Sequence, residues 1–494
     1  MTGVDRMSPL DAAFLQAEDE EPGASLAIAS IAVFEGPAPT TAEFRAVLTG
    51  RLPLIPRYRQ KAREVPFDLG PPVWVDGGAF DLDYHLRRTA LPAPGGDREL
   101  ALLMGRLMSA RLDRNRPLWE YWLVEGLSDD RWALVSKVHH CMVDGVSGTD
   151  LYRVVLDATP EPRPPVTDEW RPAPEPSDLR LTAAAALDAA RLPVTALRAL
   201  AGAARSPAAL GRQAWHTVSG LGALATALVP ATRSTLSGPP SAERRFAFAR
   251  ASVADVGTVR SVLGGTFNDV ALAAVTAGLR RLLLERGELP TAHAVRTLIP
   301  VSVRAPGTED VRDNQVSLLL AELPVHLADP EERLAAVRQE VARLKAEHEA
   351  EAGAAVVELA RYGPFAAVAA SVRLAAHLPQ RSIVTVTTNV PGPREPLYAL
   401  GRRLVEIIPY VPIASRLRLG VAIFSYCGSL TVGITGDYDG AADVEVLAQG
   451  IEDGMAELVT LAGARTRTRA PQDSRRTRRT APRTGSGDAP RPRG

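Results

Sequence analysis

The chain has 494 residues, of which 46% are hydrophobic and 23% charged, and this composition excludes an extended disordered chain and a fibrous repeat. Its 57 Lys and Arg balance its 57 Asp and Glu, but the stretch from Arg465 to Gly494 holds ten Arg and two Asp, which gives it +8 and leaves −8 for the rest. A mildly acidic body argues against a dedicated nucleic-acid-binding protein.

The first part of the chain mixes helices with strands. Capping residues, turn residues and apolar periodicity predict a helix over Met7–Phe14, a strand over Leu26–Phe34, a helix over Thr41–Leu52, a hairpin of Trp119–Leu127 with Trp132–His139, and a short helix over residues 149–157. A change of composition follows. Seven prolines between Ala158 and Asp178 predict a stiff linker, and the Ala- and Leu-rich residues 181–232 predict two or three helices.

The second part repeats the mixture. The same signals predict strands over Arg245–Val253, Val295–Val303, Gln315–Pro324, Ile383–Asn389, Leu404–Val411, Gly420–Ser425 and Leu430–Thr435, and helices over Phe267–Arg286 and Pro330–Ala350. Strands mixed with helices in both parts predict an α/β (α+β) protein of two domains. The predicted division is residues 1–157, a connection over 158–240, residues 241–464, and a disordered basic tail over 465–494.

Cysteine content and hydropathy bear on location. The only cysteines, Cys141 and Cys427, cannot build a disulfide framework, which favours a reducing cytoplasm. We find no signal peptide at the start, and the longest uncharged stretch, residues 213–232, contains glycines, a histidine and a proline that make it a poor transmembrane helix. The sequence therefore predicts a cytoplasmic protein that is soluble or bound at a membrane surface.

The most informative segment is Lys137-Val-His139-His140-Cys-Met-Val-Asp144-Gly145. Adjacent residues on a strand point to opposite faces, so only one of the two histidines can face a given cleft. A histidine at a strand end near the Asp144 carboxylate can serve as a general base at neutral pH, and Gly145 lets the backbone turn sharply. A structural histidine–aspartate contact and a zinc site remain as alternatives, although we see no third ligand cluster for a metal. Cys141 is interpreted as a small buried residue rather than a nucleophile.

The two histidines, Asp144 and Gly145 match the HHxxxDG motif of the CoA-dependent acyltransferase superfamily, which includes chloramphenicol acetyltransferase. Other segments resemble, in order, those of the bacterial wax ester synthase/diacylglycerol acyltransferase family: Met7-Ser-Pro-Leu-Asp11, Pro117-Leu118-Trp119, Asn268-Asp269, Ile299–Arg304, Asp313–Ser317, Thr388–Pro393 and Ser425–Gly428. We interpret Trp119 itself as a core aromatic.

This resemblance implies two chloramphenicol-acetyltransferase-like domains with the active site at their interface. It implies transfer of a long-chain acyl group from acyl-CoA to diacylglycerol or a fatty alcohol, without a cofactor or metal. His140 is then the general base, His139 supports it, and Asp144 holds the loop, with Arg304 as a candidate partner.

The resemblance also implies an oxyanion donor. Asn268 is preferred for this role over Thr387 and Ser302, with a helix N-cap as its alternative role. Asp269 and Gly145 are further candidates for the oxyanion or substrate site. Two other functions stay open: a related transferase for another hydrophobic alcohol, and a catalytically silent lipid-surface protein. The basic tail suggests contact with a membrane or lipid-droplet surface.

Overall fold

The computed structural model describes residues 5–21, 23–78, 80–143, 152, 154–188, 190, 234–302, 316–351, 383–414 and 416–469. These residues form two six-stranded sheets with helices and a two-stranded sheet beside the first. The predicted mixture of helices and strands is therefore confirmed.

The first half begins with a helix whose start is set by Ser8, because its hydroxyl accepts a hydrogen bond from the Asp11 amide at the first turn. This helix runs further than predicted, to Glu20. In chain order the helices and strands of this half are α1 (Pro9–Glu20), β1 (Ala27–Glu35), α2 (Thr41–Arg51), β2 (Gln60–Arg63), β3 (Val73–Asp76), α3 (Leu82–His85), β4 (Leu86–Ala90), α4 (Asp97–Ser109), β5 (Trp119–Leu127) and β6 (Arg131–His139).

The second half contains all seven strands that the sequence predicts there, each within a few residues. Its elements are β7 (Arg244–Ser252), α5 (Val253–Leu263), α6 (Phe267–Glu285), β8 (Arg296–Ser302), β9 (Val316–Glu322), α7 (Pro330–Glu351), β10 (Thr385–Pro391), β11 (Tyr398–Ala399), β12 (Arg402–Tyr410), β13 (Leu419–Tyr426), β14 (Ser429–Asp437) and α8 (Val444–Arg469). Of the helices expected over residues 181–232, the structure describes only residues 181–188 and 190, which are helical. Of the short helix expected over 149–157, it describes residues 152 and 154–157, and of these 152, 154 and 155 are helical. The remaining residues of both stretches lie outside the described part of the chain.

The second half of the chain supplies two strands, β11 and β12, to the first sheet. The first has the order β11-β12-β1-β6-β5-β4 and the second β7-β14-β13-β10-β8-β9. Although β12 comes from the second half, it pairs antiparallel with β1, with Ile31 opposite Ile408. The division at residues 241–464 did not anticipate this, because a strand's apolar pattern does not say which sheet it joins.

The strand β12 and the residue after it also contact the second sheet closely. The Thr431 and Thr435 hydroxyls of β14 donate to the carbonyl oxygens of Ile407 and Val411. A Cβ atom at Gly433 would lie 1.7 Å from the carbonyl oxygen of Pro409, so only glycine fits at this approach. β12 therefore joins the two halves of the molecule.

The proline-rich segment is bound along the first half rather than free of it. Two arginines pair with its carboxylates, Arg59 with Asp168 and Arg63 with Asp178, and Arg51 pairs with Asp157 just before the segment. The backbone of Val166 donates to the carbonyl oxygen of Gly50. The Arg59 guanidinium also lies 4.8 Å from the Trp170 ring. The segment that the sequence predicts as a stiff linker is thus an ordered strap.

The C-terminal helix α8 was not predicted, and it packs against α6 through buried residues that include Leu447, Ile451 and Leu458. The prediction that the chain is disordered from residue 465 is wrong for its first five residues, since α8 runs to Arg469. Arg465 pairs with Glu331 of α7 at 2.6 Å, which ties this end of the helix to the fold. Residues 470–494 lie outside the described residues.

Within the described part of the chain, no single helix has the length and apolar character needed to cross a bilayer. The helices α5 and α6 meet those criteria only as a pair, and they are bent by 102° at their junction. The middle of α6, including Val270, Leu272 and Leu279, is fully buried in the core of the second half.

Candidate active site

Both histidines lie where β6 ends and a single 3₁₀ turn, His140–Met142, begins. The backbone amide of His139 donates to the carbonyl oxygen of Leu118 at 2.9 Å, and that of His140 to Leu26 at 3.1 Å. The strand end is therefore held from both sides, by the segment before β5 and by the segment before β1.

His139 is a buried residue, with only 1% of its side chain exposed. Its Nδ1 accepts a hydrogen bond from the Cys141 backbone amide at 3.2 Å. A nitrogen that accepts carries no proton, so Nε2 is the ring nitrogen that can donate. Nε2 faces the Glu18 carboxylate of α1 at 3.5 Å. His139 is thus fixed by its surroundings rather than open to solvent.

The Glu18 carboxylate accepts from the Leu26 amide at 2.9 Å and from Arg114 at 2.7 Å. Burial would raise the pKa of this carboxyl group, but His139, the Leu26 amide and Arg114 outweigh burial and lower the pKa to about 2. Sequence reasoning missed Glu18 because it opens the run Glu18-Asp19-Glu20-Glu21, which is typical of a solvated helix end. The sequence feature that could have indicated Glu18 is its spacing, because it lies four residues after Phe14 and therefore on the same face of the helix.

His140 differs from its neighbour because it is only partly buried. Its ring centroid lies 4.0 Å from that of Phe14. Burial and the neighbouring His139 lower the pKa of His140 to about 4, while a hydrogen bond to its own backbone acts in the opposite direction. At neutral pH the ring is therefore an unprotonated base.

Cys141 follows the histidines but is not poised as a nucleophile. Its side chain is 1% exposed, and burial raises the pKa of the thiol well above its usual range. Since the thiolate is the reactive form, a protonated buried thiol is inert. The prediction that Cys141 is a small buried residue is confirmed.

The Pro117-Leu118-Trp119 segment is structural. Trp119 is fully buried, its Nε1 donates to the carbonyl oxygen of Tyr58 at 2.9 Å, and its ring stacks on those of His85 and Tyr58. The interpretation of Trp119 as a core aromatic is confirmed. Because the Leu118 carbonyl accepts from His139, this segment also positions the histidine pair.

The loop that follows the histidines lies outside the described residues, and with it Asp144 and Gly145. The chain is described again at Tyr152, whose hydroxyl donates to Ser30 of β1. Its ring lies 6.0 Å from the Phe424 ring of β13. This contact joins the histidine end of the first sheet to the second sheet.

Asn268 and Asp269 lie at the start of α6. Thr266 is the N-cap, and its hydroxyl accepts from the Asp269 amide while Asp269 Oδ2 accepts from the Thr266 amide at 2.7 Å. The alternative role of Asn268 as N-cap is therefore wrong. Asp269 is 5% exposed, and this reciprocal bonding gives it a role in starting the helix.

Asn268 is half-buried, and its Oδ1 accepts from Nδ2 of Asn389 of β10 at 3.2 Å. Thr387 is buried and bonded to Thr297 at 2.8 Å, so its hydroxyl does not face a cleft. The Ser302 side chain and Arg304 lie outside what the structure describes.

Among the described residues, no group of three or more His, Cys, Asp and Glu side chains could hold a metal ion.

The sequence was compared with models of protein families. Residues 7–271 match the wax ester synthase/diacylglycerol acyltransferase catalytic domain, and residues 313–459 match the C-terminal domain of the same family.

Relatives and solved structures agree with these matches. A Mycobacterium tuberculosis protein named diacylglycerol O-acyltransferase tgs1 is 41% identical over 469 residues, which is 94% of this chain and 98% of that protein. A second M. tuberculosis protein with the same enzyme name is 35% identical over 466 residues, 92% of this chain and 91% of its own length.

The structure of the wax ester synthase/diacylglycerol acyltransferase of Marinobacter aquaeolei superposes with a TM-score of 0.66 at 25% identity, covering 93% of this chain and 100% of that one. The starter condensation domain of rhizomide synthetase has the same fold, with a TM-score of 0.54 at 16% identity over 94% of this chain and 95% of that one. On these matches the chain belongs to the wax ester synthase/diacylglycerol acyltransferase family.

Proposed function

We propose that the protein transfers a long-chain acyl group from acyl-CoA to the free hydroxyl of diacylglycerol, forming triacylglycerol. The observation that carries this proposal is the place of His140, a partly buried imidazole where β6 ends, beside Phe14 and next to the buried His139. The enzyme name of the mycobacterial relatives supports diacylglycerol as the acceptor.

The chemistry needs one base. Nε2 of His140 removes the hydroxyl proton of the acceptor as its oxygen attacks the thioester carbonyl carbon. The carbonyl oxygen becomes an oxyanion, which Asn268 stabilises by donating from Nδ2. When the C–S bond breaks, the imidazolium returns the proton to the CoA sulfur. A thioester is already activated, so neither a covalent enzyme intermediate nor a cofactor is required.

The neighbouring residues act through His140. His139 and Glu18 fix the end of β6, since Glu18 bonds the backbone of Leu26, whose carbonyl oxygen accepts from His140. Asp144 holds the following loop, with Arg304 as its partner, and Gly145 lets that loop turn beside the substrate.

A long-chain alcohol is the second candidate acceptor, which would make the product a wax ester. The observation in its favour is the superposition on the Marinobacter enzyme, whose name includes wax ester synthase. Both acceptors partition into lipid. We therefore also propose that the protein works in the cytoplasm at the surface of a membrane or lipid inclusion.

Release of CoA tests the function directly. Purified protein is incubated with palmitoyl-CoA alone, with dioleoylglycerol, and with hexadecanol, and the free thiol is measured together with the lipid product. We expect release above the palmitoyl-CoA background with dioleoylglycerol and recovery of triacylglycerol. Release only with hexadecanol would make the protein a wax ester synthase. No acceptor-dependent release with either alcohol would contradict the proposed function.

A further inference from the structure

One face of α1 packs against the turn that carries the histidines. Phe14 lies on that face, and its ring centroid is 4.0 Å from that of His140, with the two ring planes inclined by 33°. At this separation the rings are in close contact, and the inclination excludes an edge-to-face pair, whose planes are nearly perpendicular. Phe14 therefore covers part of the imidazole of the proposed base.

Phe14 is held in place by the bonds that α1 makes on either side of it. The carbonyl oxygen of the next residue accepts from Arg114 at 3.2 Å. Glu18, one turn later, accepts from the same guanidinium and from the Leu26 amide. The Leu26 carbonyl oxygen in turn accepts from the His140 amide. The helix that carries Phe14 and the turn that carries His140 are thus fixed to the same segment.

A phenyl ring affects an imidazole in ways that a polar neighbour does not. It has no hydrogen-bond donor or acceptor, so it occupies neither ring nitrogen of His140. It excludes water, and burial disfavours the charged imidazolium. The face of an aromatic ring also attracts a cation, which acts in the opposite direction. Burial is the larger effect here, since the pKa of His140 is lowered to about 4.

The described part of the chain places few titratable groups around this contact. His139 precedes His140 and lowers its pKa, and Cys141 follows with a buried, protonated thiol. On α1, Asp11 and Glu18 lie one turn before and one turn after the phenyl ring. Asp11 bonds within the N-terminal cap of the helix, and Glu18 faces His139. Removal of the ring therefore changes the exposure of His140 without changing the charges of these groups.

We propose that Phe14 is a positioning residue that holds the His140 imidazole in one orientation and shields it from water. This inference rests on the proposed function, in which His140 is the general base. A base acts only when its lone pair meets the acceptor hydroxyl at hydrogen-bond distance. A phenyl ring packed on the imidazole restricts rotation of the His140 side chain, so fewer orientations compete with the reactive one.

The variant Phe14→Ala opens the space beside the imidazole to water. The pKa of His140 should rise from about 4 toward the ordinary histidine value of about 6.5. With the orientation lost, kcat should fall by up to about 10², the cost of misplacing a reacting group by about 1 Å, while KM for acyl-CoA stays close to that of the wild type.

The pKa is measured by NMR on protein with isotope-labelled histidine, and the His140 signal is identified by its absence in His140→Ala. In the wild type this signal should not titrate between about pH 5.5 and 8, and in Phe14→Ala it should titrate within that range. This measurement does not depend on substrate turnover.

Phe14→Leu separates exposure from orientation, and it keeps the inference testable if the alanine variant does not fold. Leucine is apolar and fills most of the same space, so it should keep water out and the pKa of His140 should stay low. It has no flat ring to pack on the imidazole, so kcat should still fall, by a smaller factor than in Phe14→Ala. Thermal unfolding checks that both variants are folded.

The matched control is Phe80→Ala. Phe80 is also partly buried, and its ring stacks on another histidine of the first half, His85, at 5.4 Å between centroids. This variant removes the same kind of ring from beside a histidine, but it should leave His140 unprotonated over the same pH range.

Two results would overturn the inference while leaving the proposed function intact. One is a folded Phe14→Ala protein in which the titration of His140 is the same as in the wild type or is matched by that in Phe80→Ala. The other is a Phe14→Leu protein that keeps the full kcat of a wild type that releases CoA. A wild type with no acceptor-dependent CoA release would overturn the proposed function, and the role of Phe14 in it.

Discussion

Oε2 of Glu18 lies 3.5 Å from Nε2 of His139, and each of these side chains is 1% exposed. The same carboxylate oxygen is bonded to Arg114, and the other oxygen accepts from the Leu26 amide. α1 is thereby tied to the ends of β1 and β6 at a single point. His140, the next residue along the chain, is only partly buried, so the strand end places a buried histidine and a partly exposed one side by side.

The first prediction separates the two histidines. His140→Ala should lower turnover by about 10²–10⁴, the usual contribution of a general base, with little change in the unfolding midpoint. His139→Ala should cost about 1–3 kcal/mol of stability because it leaves the buried Glu18 and the Cys141 amide with one partner fewer.

Both variants are assayed for CoA release and thermal unfolding, with His139→Gln as the control, since glutamine can still donate toward Glu18. An inactive but normally stable His139→Ala protein together with an active His140→Ala protein would reverse the assignment of the base.

A second prediction concerns the pH dependence of the reaction. The pKa of His140 is lowered to about 4, so the base stays unprotonated well below neutral pH. The acid limb of kcat/KM should therefore fall with an inflection near pH 4, where protonation removes the lone pair. Initial rates of CoA release are measured from pH 8 downward on protein checked for folding at each pH. An inflection near the ordinary histidine value of about 6.5 would contradict this picture of the site.

The third prediction concerns Glu18. Its folded-state pKa of about 2 lies below the ordinary value of 4.5, so ionised Glu18 stabilises the fold above pH 4.5, and this contribution is lost as the pH falls toward 2. This lowering of the Glu18 pKa corresponds to up to about 3 kcal/mol of free energy of unfolding. Glu18→Gln should therefore be less stable than the wild type at pH 7. The difference in free energy of unfolding between the two proteins should become smaller as the pH falls from 4.5 to 2.

Urea unfolding at several pH values measures this difference. Glu445→Gln is the control, because Glu445 is an exposed carboxylate on α8. Equal stability of Glu18→Gln and the wild type at pH 7 would mean that the carboxylate does not hold the end of β6.

The fourth prediction concerns the basic C-terminus. Residues 470–494 carry seven Arg and two Asp, and positive segments bind anionic lipid surfaces. Deleting them should lower recovery on anionic vesicles at low salt and leave turnover on detergent-dispersed substrate unchanged. A deletion that starts at residue 465 should also lower stability, because it removes the pair of Arg465 with Glu331. Equal vesicle recovery with and without residues 470–494 would contradict a role in attachment.

Much of the fold could be predicted from local signals. The capping residue Ser8 and the turn between Trp119–Leu127 and Trp132–His139 act over a few residues, and the structure places α1, β5 and β6 accordingly. The helices α3, α4, α5 and α8 and the strands β2, β3, β4 and β11 were not predicted. The assignment of β12 to the first sheet depends on pairing across most of the chain, which no local pattern records.

The candidate site likewise has a part that could be predicted from the sequence and a part that could not. The histidine pair is a contiguous motif and is visible in the sequence. Glu18 is not visible, because it acts through a contact with His139, a residue more than a hundred positions away. The N-cap role of Asn268 failed because Thr266, two residues earlier, offers the hydroxyl that α6 uses.

The pairing of β12 with β1 has a consequence for biosynthesis. β1 ends at Glu35, but the strand that pairs with its outer edge, β12, does not begin until Arg402. At about 5–20 residues per second, roughly tens of seconds separate the emergence of the two strands from the ribosome. During that interval the hydrogen-bonding edge of β1 has no native partner, and such an edge can template aggregation. Any fragment that ends before residue 402 keeps this edge permanently, so the first half cannot complete its sheet when expressed alone.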